Sequence, residues 1–271
     1  MERRWAIACA IACLIILCGC AAPLTPPKPL WSQSIAPDRS AATLAFAVEN
    51  CEYAEFGFRV APERLRPFLP EAFDVRISSS GGGTVALGAA VCADGSFDGA
   101  RGPVAFAWTD ILVAPNDPSL LGDGIDVYLY RVENPVRSDA YGALMARVGS
   151  QRSIVSSIGV LFTSTYAHFH VEGDGLDYFG SGPALTILPP DPPVRFREYG
   201  AAPAGFAYVE ADLTPGESIA QAVGVFDSSP GSVAASILGT RAHGLWLAGH
   251  GYGFGPRAFM GWVPFEPTTD P

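Results

Sequence analysis

What most constrains this chain is how often its apolar runs are interrupted. Short β-branched and aromatic segments such as "TVALGAAVC", "VAFAWTDILVA", "IDVYLYRV", "VRFREYG" and "AFMGWVPF" are bounded by Gly, Pro, Asn and Asp clusters, and 30 Gly and 24 Pro are spread through 271 residues. Strands tolerate that spacing, whereas an amphipathic helix needs a longer unbroken period. The pattern predicts a mainly β domain with a few short helices, an antiparallel sandwich or barrel.

Three helical segments are expected. Pro62 suits a first helical turn, and Pro67 and Pro70 stop that helix not far beyond Phe68. Ser138 and Asp139 can cap "AYGALMARV", with Gly149 as its stop, and Ser232 begins a shorter candidate in "SVAASIL". No fixed-period repeat is evident, and "LPPDPPV" at 188–194 reads as a rigid loop rather than a domain boundary. With 49% hydrophobic and 16% charged residues, the chain can build one good-sized core, and residues 41–271 read as one domain.

At the N-terminus Arg3 and Arg4 precede an apolar run from Trp5 to Leu17, followed by "LCGC". The run is short for a bilayer span and gives way at once to small residues and prolines, so it reads as a secretion signal rather than a retained anchor helix. Leu17-Cys18-Gly19-Cys20 is similar to the bacterial lipobox, in which the last Cys is lipidated and becomes the mature N-terminus. Residues 1–19 are then the signal peptide and 20–40 a Pro-rich tether, with ordinary cleavage after Ala21 or Ala22 as the alternative. Ala21 after the lipidated Cys20 is similar to the choice that sorts lipoproteins to the outer membrane, facing the periplasm.

The formal charge is 17 − 27 = −10, and loss of Glu2, Arg3 and Arg4 with the leader makes it −11. Such a domain repels nucleic acid and anionic membrane surfaces, so the partners expected are a small-molecule ligand and, through the lipid alone, a membrane. Of six cysteines, Cys9, Cys13, Cys18 and Cys20 belong to the leader and its junction. Cys51 and Cys92 remain, each inside an expected strand. They bridge if those strands are neighbours, and otherwise serve as small buried hydrophobes.

Several residues can carry chemistry. On a strand, "YAHFHVE" at 166–172 puts Tyr166, His168, His170 and Glu172 on one face, a set that can ligate zinc or iron or simply form a polar outer face. Asp110 and Glu133 lie on half-buried strands and would serve acid–base chemistry if they converged. Arg59, Arg147 and Arg152 can fix an anionic group, Arg147 more simply serving as a helix-terminal charge. "GHGYGFG" at 249–255 lacks the helix and Lys of a nucleotide loop and reads as a turn or kinked strand, while "FGSGPAL" lacks the spacing of a hydrolase elbow. No cofactor is implied.

The stretch "NCEYAEFGFRVAPERLRPFLPEAFDV", residues 50–75, resembles the N-terminal signature of the acetoacetate decarboxylase superfamily. It carries Glu52-Tyr53, Phe58-Arg59, Leu65-Arg66 and Pro70-Glu71 in the family's order, and "FAWTDILVAP" at 106–115 with "ALMARVGSQRSI" at 143–154 extends the likeness to roughly residues 45–160. The resemblance implies an antiparallel barrel or cone around a buried pocket, with Glu52, Arg59, Trp108, Asp110 and Arg152 as its ligand-binding residues. It also implies a Lys amine that forms an imine with a ketone substrate. The only Lys of this chain is Lys28, in the tether, and the family's Lys position is matched by Arg152 or Ile154, its pocket Arg by Cys51 and its acid by Asp110. Arg remains protonated and forms no imine. The expectation is therefore a pocket that binds a small apolar or keto-acid-like ligand without decarboxylating acetoacetate. The alternative is an enzyme of another, acid–base mechanism using Asp110, Glu133 or Arg152, and a metal site at His168 and His170 or a scaffold role are weaker options.

Overall fold

A computed structural model describes residues 43–97, 100–137, 140–163, 165–173, 175–183, 187–188, 194–214 and 217–264. The leader, Cys20, Lys28, the tether and the Ser138-Asp139 cap lie outside the described residues. In chain order the strands are β1 (Thr43–Val60), β2 (Phe73–Val75), β3 (Gly83–Phe97), β4 (Ala100–Pro115), β5 (Val127–Glu133), β6 (Pro135–Val136), β7 (Ser153–Ile154) and β8 (Ser157–Phe162). They continue with β9 (Tyr166–Glu172), β10 (Tyr178–Pro183), β11 (Ile187–Leu188), β12 (Val194–Ala202), β13 (Gly205–Thr214), β14 (Glu217–Ser228) and β15 (Arg241–Pro264). The helices are α1 (Pro62–Leu65), α2 (Ala140–Arg147) and α3 (Val233–Leu238), and a 3-10 turn at Arg66–Phe68 extends α1 to where the prolines were expected to end it.

Seven strands form a closed ring in the order β1, β3, β4, β5, β12, β13, β15, with β15 pairing back onto β1. All contacts around it are antiparallel except β5 with β12. From β15 the sheet also runs outward through β14, β10 and β9 to β8. β15 serves both arms because it is long and bent: Arg241–His250 pairs with β14, and Gly253–Pro264 with β13. In sequence, "ATLAFAVENCEY" and "EFGFRV" read as separate strands, as do "LWLAGHGYGF" and "AFMGWVPF". Each pair is instead one strand whose register slips at bulges, aided by Asn50 at φ 54° and Gly251 at φ 72°. These residues bend the strand and leave it continuous.

The ring separates two cores. Inside it, Leu44, Phe46, Val48, Phe97, Val104 and Phe106 fill one end, and α2 seals that end with Tyr141, Leu144 and Met145. The Tyr141 ring lies 4.9 Å from that of Phe106. Outside it, the opposite faces of β1 and β3 pack against the second sheet around Phe56, Phe169, Phe226 and Trp246. Phe56 has Trp246 at 4.7 Å and Phe226 at 6.0 Å between ring centroids. Close approach requires glycine there: a Cβ on Gly180 would come within 2.3 Å of Phe169 Cε1, and one on Gly224 within 2.8 Å of Phe56 Cε1.

α3 starts at Ser232, whose hydroxyl accepts from the Ala235 N–H at 2.9 Å. The free N–H groups of Val233 and Ala234 donate to the Glu133 carboxylate at 2.7 and 3.1 Å. Cys51 faces Cys92 across the β1–β3 ladder, and the two are joined as a disulfide. The bond closes a segment of 41 residues, so reduction should lower unfolding stability by about 2–5 kcal/mol. Urea titrations of oxidised and reduced protein check this, and equal midpoints would contradict it.

Candidate functional site

The ring is not filled along its whole length. Above the α2 plug it encloses a cavity of ≈ 380 Å³, and every one of its seven strands contributes to the wall. The wall follows the period of two: Cys51, Tyr53 and Glu55 from β1, Phe106, Trp108, Asp110 and Leu112 from β4. On the opposite side Val127, Leu129 and Arg131 of β5 run beside Val194, Phe196 and Glu198 of β12. Most of the lining is therefore apolar or aromatic, and the charged groups converge at one level.

At that level Arg131 is buried and held from two sides. Its Nε and Nη2 donate to the two Asp110 oxygens at 2.9 and 3.1 Å, and Nη2 also donates to Glu198 Oε2. Nη1 reaches Asn134 Oδ1 at 3.4 Å, and the Tyr141 hydroxyl of the plug is also bonded to Arg131. A bidentate guanidinium–carboxylate pair fixes geometry as well as charge. Glu55 stands apart from this network and accepts from the Trp108 indole N–H at 2.9 Å.

Removal from water raises all three acids. Burial pushes Glu55 up to about 7, with the Trp108 N–H pulling the other way. It pushes Glu198 up to about 8 despite the attraction of Arg131, and Asp110 also moves upward from burial against that attraction. Glu55 retains accessible surface, but that surface faces the lumen, so its environment is the cavity rather than bulk water.

The expected site residues divide sharply. Trp108, Asp110 and Cys51 line the lumen. Glu52 points outward and is exposed, and Arg59 is exposed and bonds Ser78 Oγ at 2.9 Å. Neither contacts the cavity. Arg152 is buried but lies outside the lining, with Nη1 donating to the Ser150 carbonyl at 3.3 Å. Glu133 does not converge with Asp110. The β4–β5 register jumps from Thr109↔Glu133 to Asp110↔Arg131, so a bulge at Val132 turns Arg131 into the lumen and Glu133 into the outer core. There Glu133 binds α3 and the Tyr178 hydroxyl, with burial raising it to about 6.

His168, His170 and Glu172 do share one face of β9, and it is the outer one. His170 Nε2 lies 3.0 Å from Ser157 Oγ, and His168 packs 5.8 Å from the Phe179 ring. Among the described residues no group of three His, Cys, Asp or Glu side chains is arranged to hold a metal. The residues missed from sequence are Glu55, Arg131 and Glu198. A signal was present: each ends a row of alternate apolar residues, as in Val127-x-Leu129-x-Arg131 and Val194-x-Phe196-x-Glu198.

Glu55 and Glu198 bind their protons more tightly folded than unfolded, so their contribution to stability is full below pH 4.5. It is lost as pH rises through about 7 and about 8. Thermal unfolding should shift to lower temperature between about pH 5 and 8, and Glu55→Gln should flatten the lower part of that slope. Parallel pH profiles for wild type and Glu55→Gln would contradict the assignment.

No family model matches the chain, and no curated protein matches it significantly. Solved structures do. An acetoacetate decarboxylase-like enzyme from Sphingomonas wittichii RW1 aligns with TM-score 0.55 at 12% identity, covering 82% of this chain and 93% of that one. An acetoacetate decarboxylase structure aligns with TM-score 0.57 at 13% identity over 86% and 96%. The enduracididine biosynthesis enzyme MppR, in complex with pyruvate, aligns with TM-score 0.52 at 15% identity over 88% and 98%. At such identities the likeness is one of backbone architecture, and on that ground the mainly β structure described above has the fold of the acetoacetate decarboxylase-like proteins.

Proposed function

We propose that this protein binds a small, largely apolar molecule inside its barrel, without imine chemistry, while tethered to the envelope by a lipidated Cys20. The observation that carries the reading is the lumen: an apolar and aromatic cavity of ≈ 380 Å³ with a few converging polar groups at one level. MppR, of the same fold, is known with pyruvate bound, which supports a small-molecule role for the architecture. Imine formation needs a nucleophilic amine. The lumen lining contains no Lys, and the chain's single Lys28 belongs to the tether.

A keto acid is disfavoured by the same geometry. Arg131, the cation of the lining, already faces Asp110 and Glu198, so a ligand carboxylate would add negative charge to an acid-rich interior. A second reading, an acid–base enzyme in the same cavity, is favoured by Glu55 and Glu198, whose carboxyls sit near neutrality at about 7 and about 8. Groups so displaced in a cleft are common in catalysis.

Native mass spectrometry of the full chain, extracted from the envelope in mild detergent, tests both halves of the proposal. The expected spectrum shows cleavage before Cys20 with added acyl mass, and a co-purifying adduct of a few hundred daltons or less, the size that fits such a cavity. A polypeptide mass without acyl groups would remove the tethering. An apo spectrum that stays unchanged on addition of apolar small molecules would remove the binding role.

A further inference from the structure

The lumen holds more acids than cations. Glu55, Asp110 and Glu198 face a single guanidinium, and Arg131 is committed to the latter two. Glu55 lines the cavity and is bonded through Oε2 to the neutral Trp108 indole. Six aromatic residues line the same cavity: Tyr53, Phe106, Trp108, Phe196, Tyr252 and Phe254. The Tyr53 and Tyr252 rings meet edge to face at 4.1 Å, their hydroxyls 3.0 Å apart.

An unpaired carboxylate set among aromatic faces is how proteins recognise an organic ammonium. The carboxylate supplies the countercharge, the ring quadrupoles supply attraction over their faces, and the apolar wall accepts the rest of the molecule. We propose that the lumen selects ligands bearing one amine or other organic cation on an apolar body, with Glu55 as its counterion. This rests on the small-molecule reading above and narrows it to a ligand class.

Below about pH 7 a cation entering the lumen replaces the proton that desolvation keeps on Glu55, and above it the cation meets the carboxylate directly. A neutral alcohol of the same shape gains the apolar contacts alone. A carboxylate meets Glu55 with like charge and finds Arg131 already occupied.

Three probes of matched size test the inference on the full chain by displacement of a neutral apolar fluorophore at pH 8: 2-phenylethylamine, 2-phenylethanol and 3-phenylpropanoate. The amine should bind ~10-fold or more tightly than the alcohol, and the carboxylate most weakly. In Glu55→Gln the amine should fall to the level of the alcohol measured on the same variant, and an unchanged far-UV circular dichroism spectrum shows that the variant is folded. Equal or tighter binding of the alcohol or the carboxylate would overturn the ammonium preference and leave the pocket intact. An amine preference that survives in Glu55→Gln would overturn the role of Glu55. Absence of fluorophore and probe binding would instead overturn the underlying small-molecule reading.

Discussion

Arg131 is the charge around which the interior of the barrel is organised. Placing a guanidinium where water is excluded is costly, and the cost is offset only when carboxylates satisfy it with good geometry. Asp110 does so from the neighbouring strand in a two-point contact, and Glu198 does so from β12 across the parallel β5–β12 pairing. The pairing is thus tied together by charge as well as by backbone hydrogen bonds, at the level where the apolar wall ends. The plug helix α2 closes the same region from below through Tyr141.

The bulge at Val132 decides where this charge sits. In an uninterrupted strand Arg131 and Glu133 would point the same way. The register slip against Thr109 and Asp110 sends them into different cores, one to the ligand-sized lumen and the other to the N-terminus of α3. One extra residue in a strand therefore separates a candidate binding group from a structural one, which is why a bulge beside a cavity is treated as a feature of the fold.

Much of the architecture was legible in sequence because side-chain alternation is a local property. The inward row Ala167, Phe169, Val171 and its outward histidines followed the period of two, and Pro62 and Ser232 marked helix starts that the structure keeps. The strand pattern left sandwich and barrel both open, and only the resemblance favoured closure, since long-range pairing such as β1 with β15 leaves no local trace. The site was half legible. Asp110 and Trp108, expected on an aromatic-x-acid strand, line the cavity, but Glu52 and Arg59 were placed by resemblance, and pairing turned one outward and exposed the other. Glu55, Arg131 and Glu198 become a group only when three strands distant in sequence are brought around one space.

The interior depends on Arg131 compensating acids that would otherwise be buried without a partner. The decisive measurement is the unfolding free energy of Arg131→Met alone and combined with Asp110→Asn and Glu198→Gln. The single substitution is predicted to cost about 3–5 kcal/mol, because it leaves uncompensated carboxyl groups in the lumen, and the triple variant should recover most of that loss. A single substitution costing under about 1 kcal/mol, the range of exposed ion pairs, or a triple variant less stable than the single one, would contradict the account.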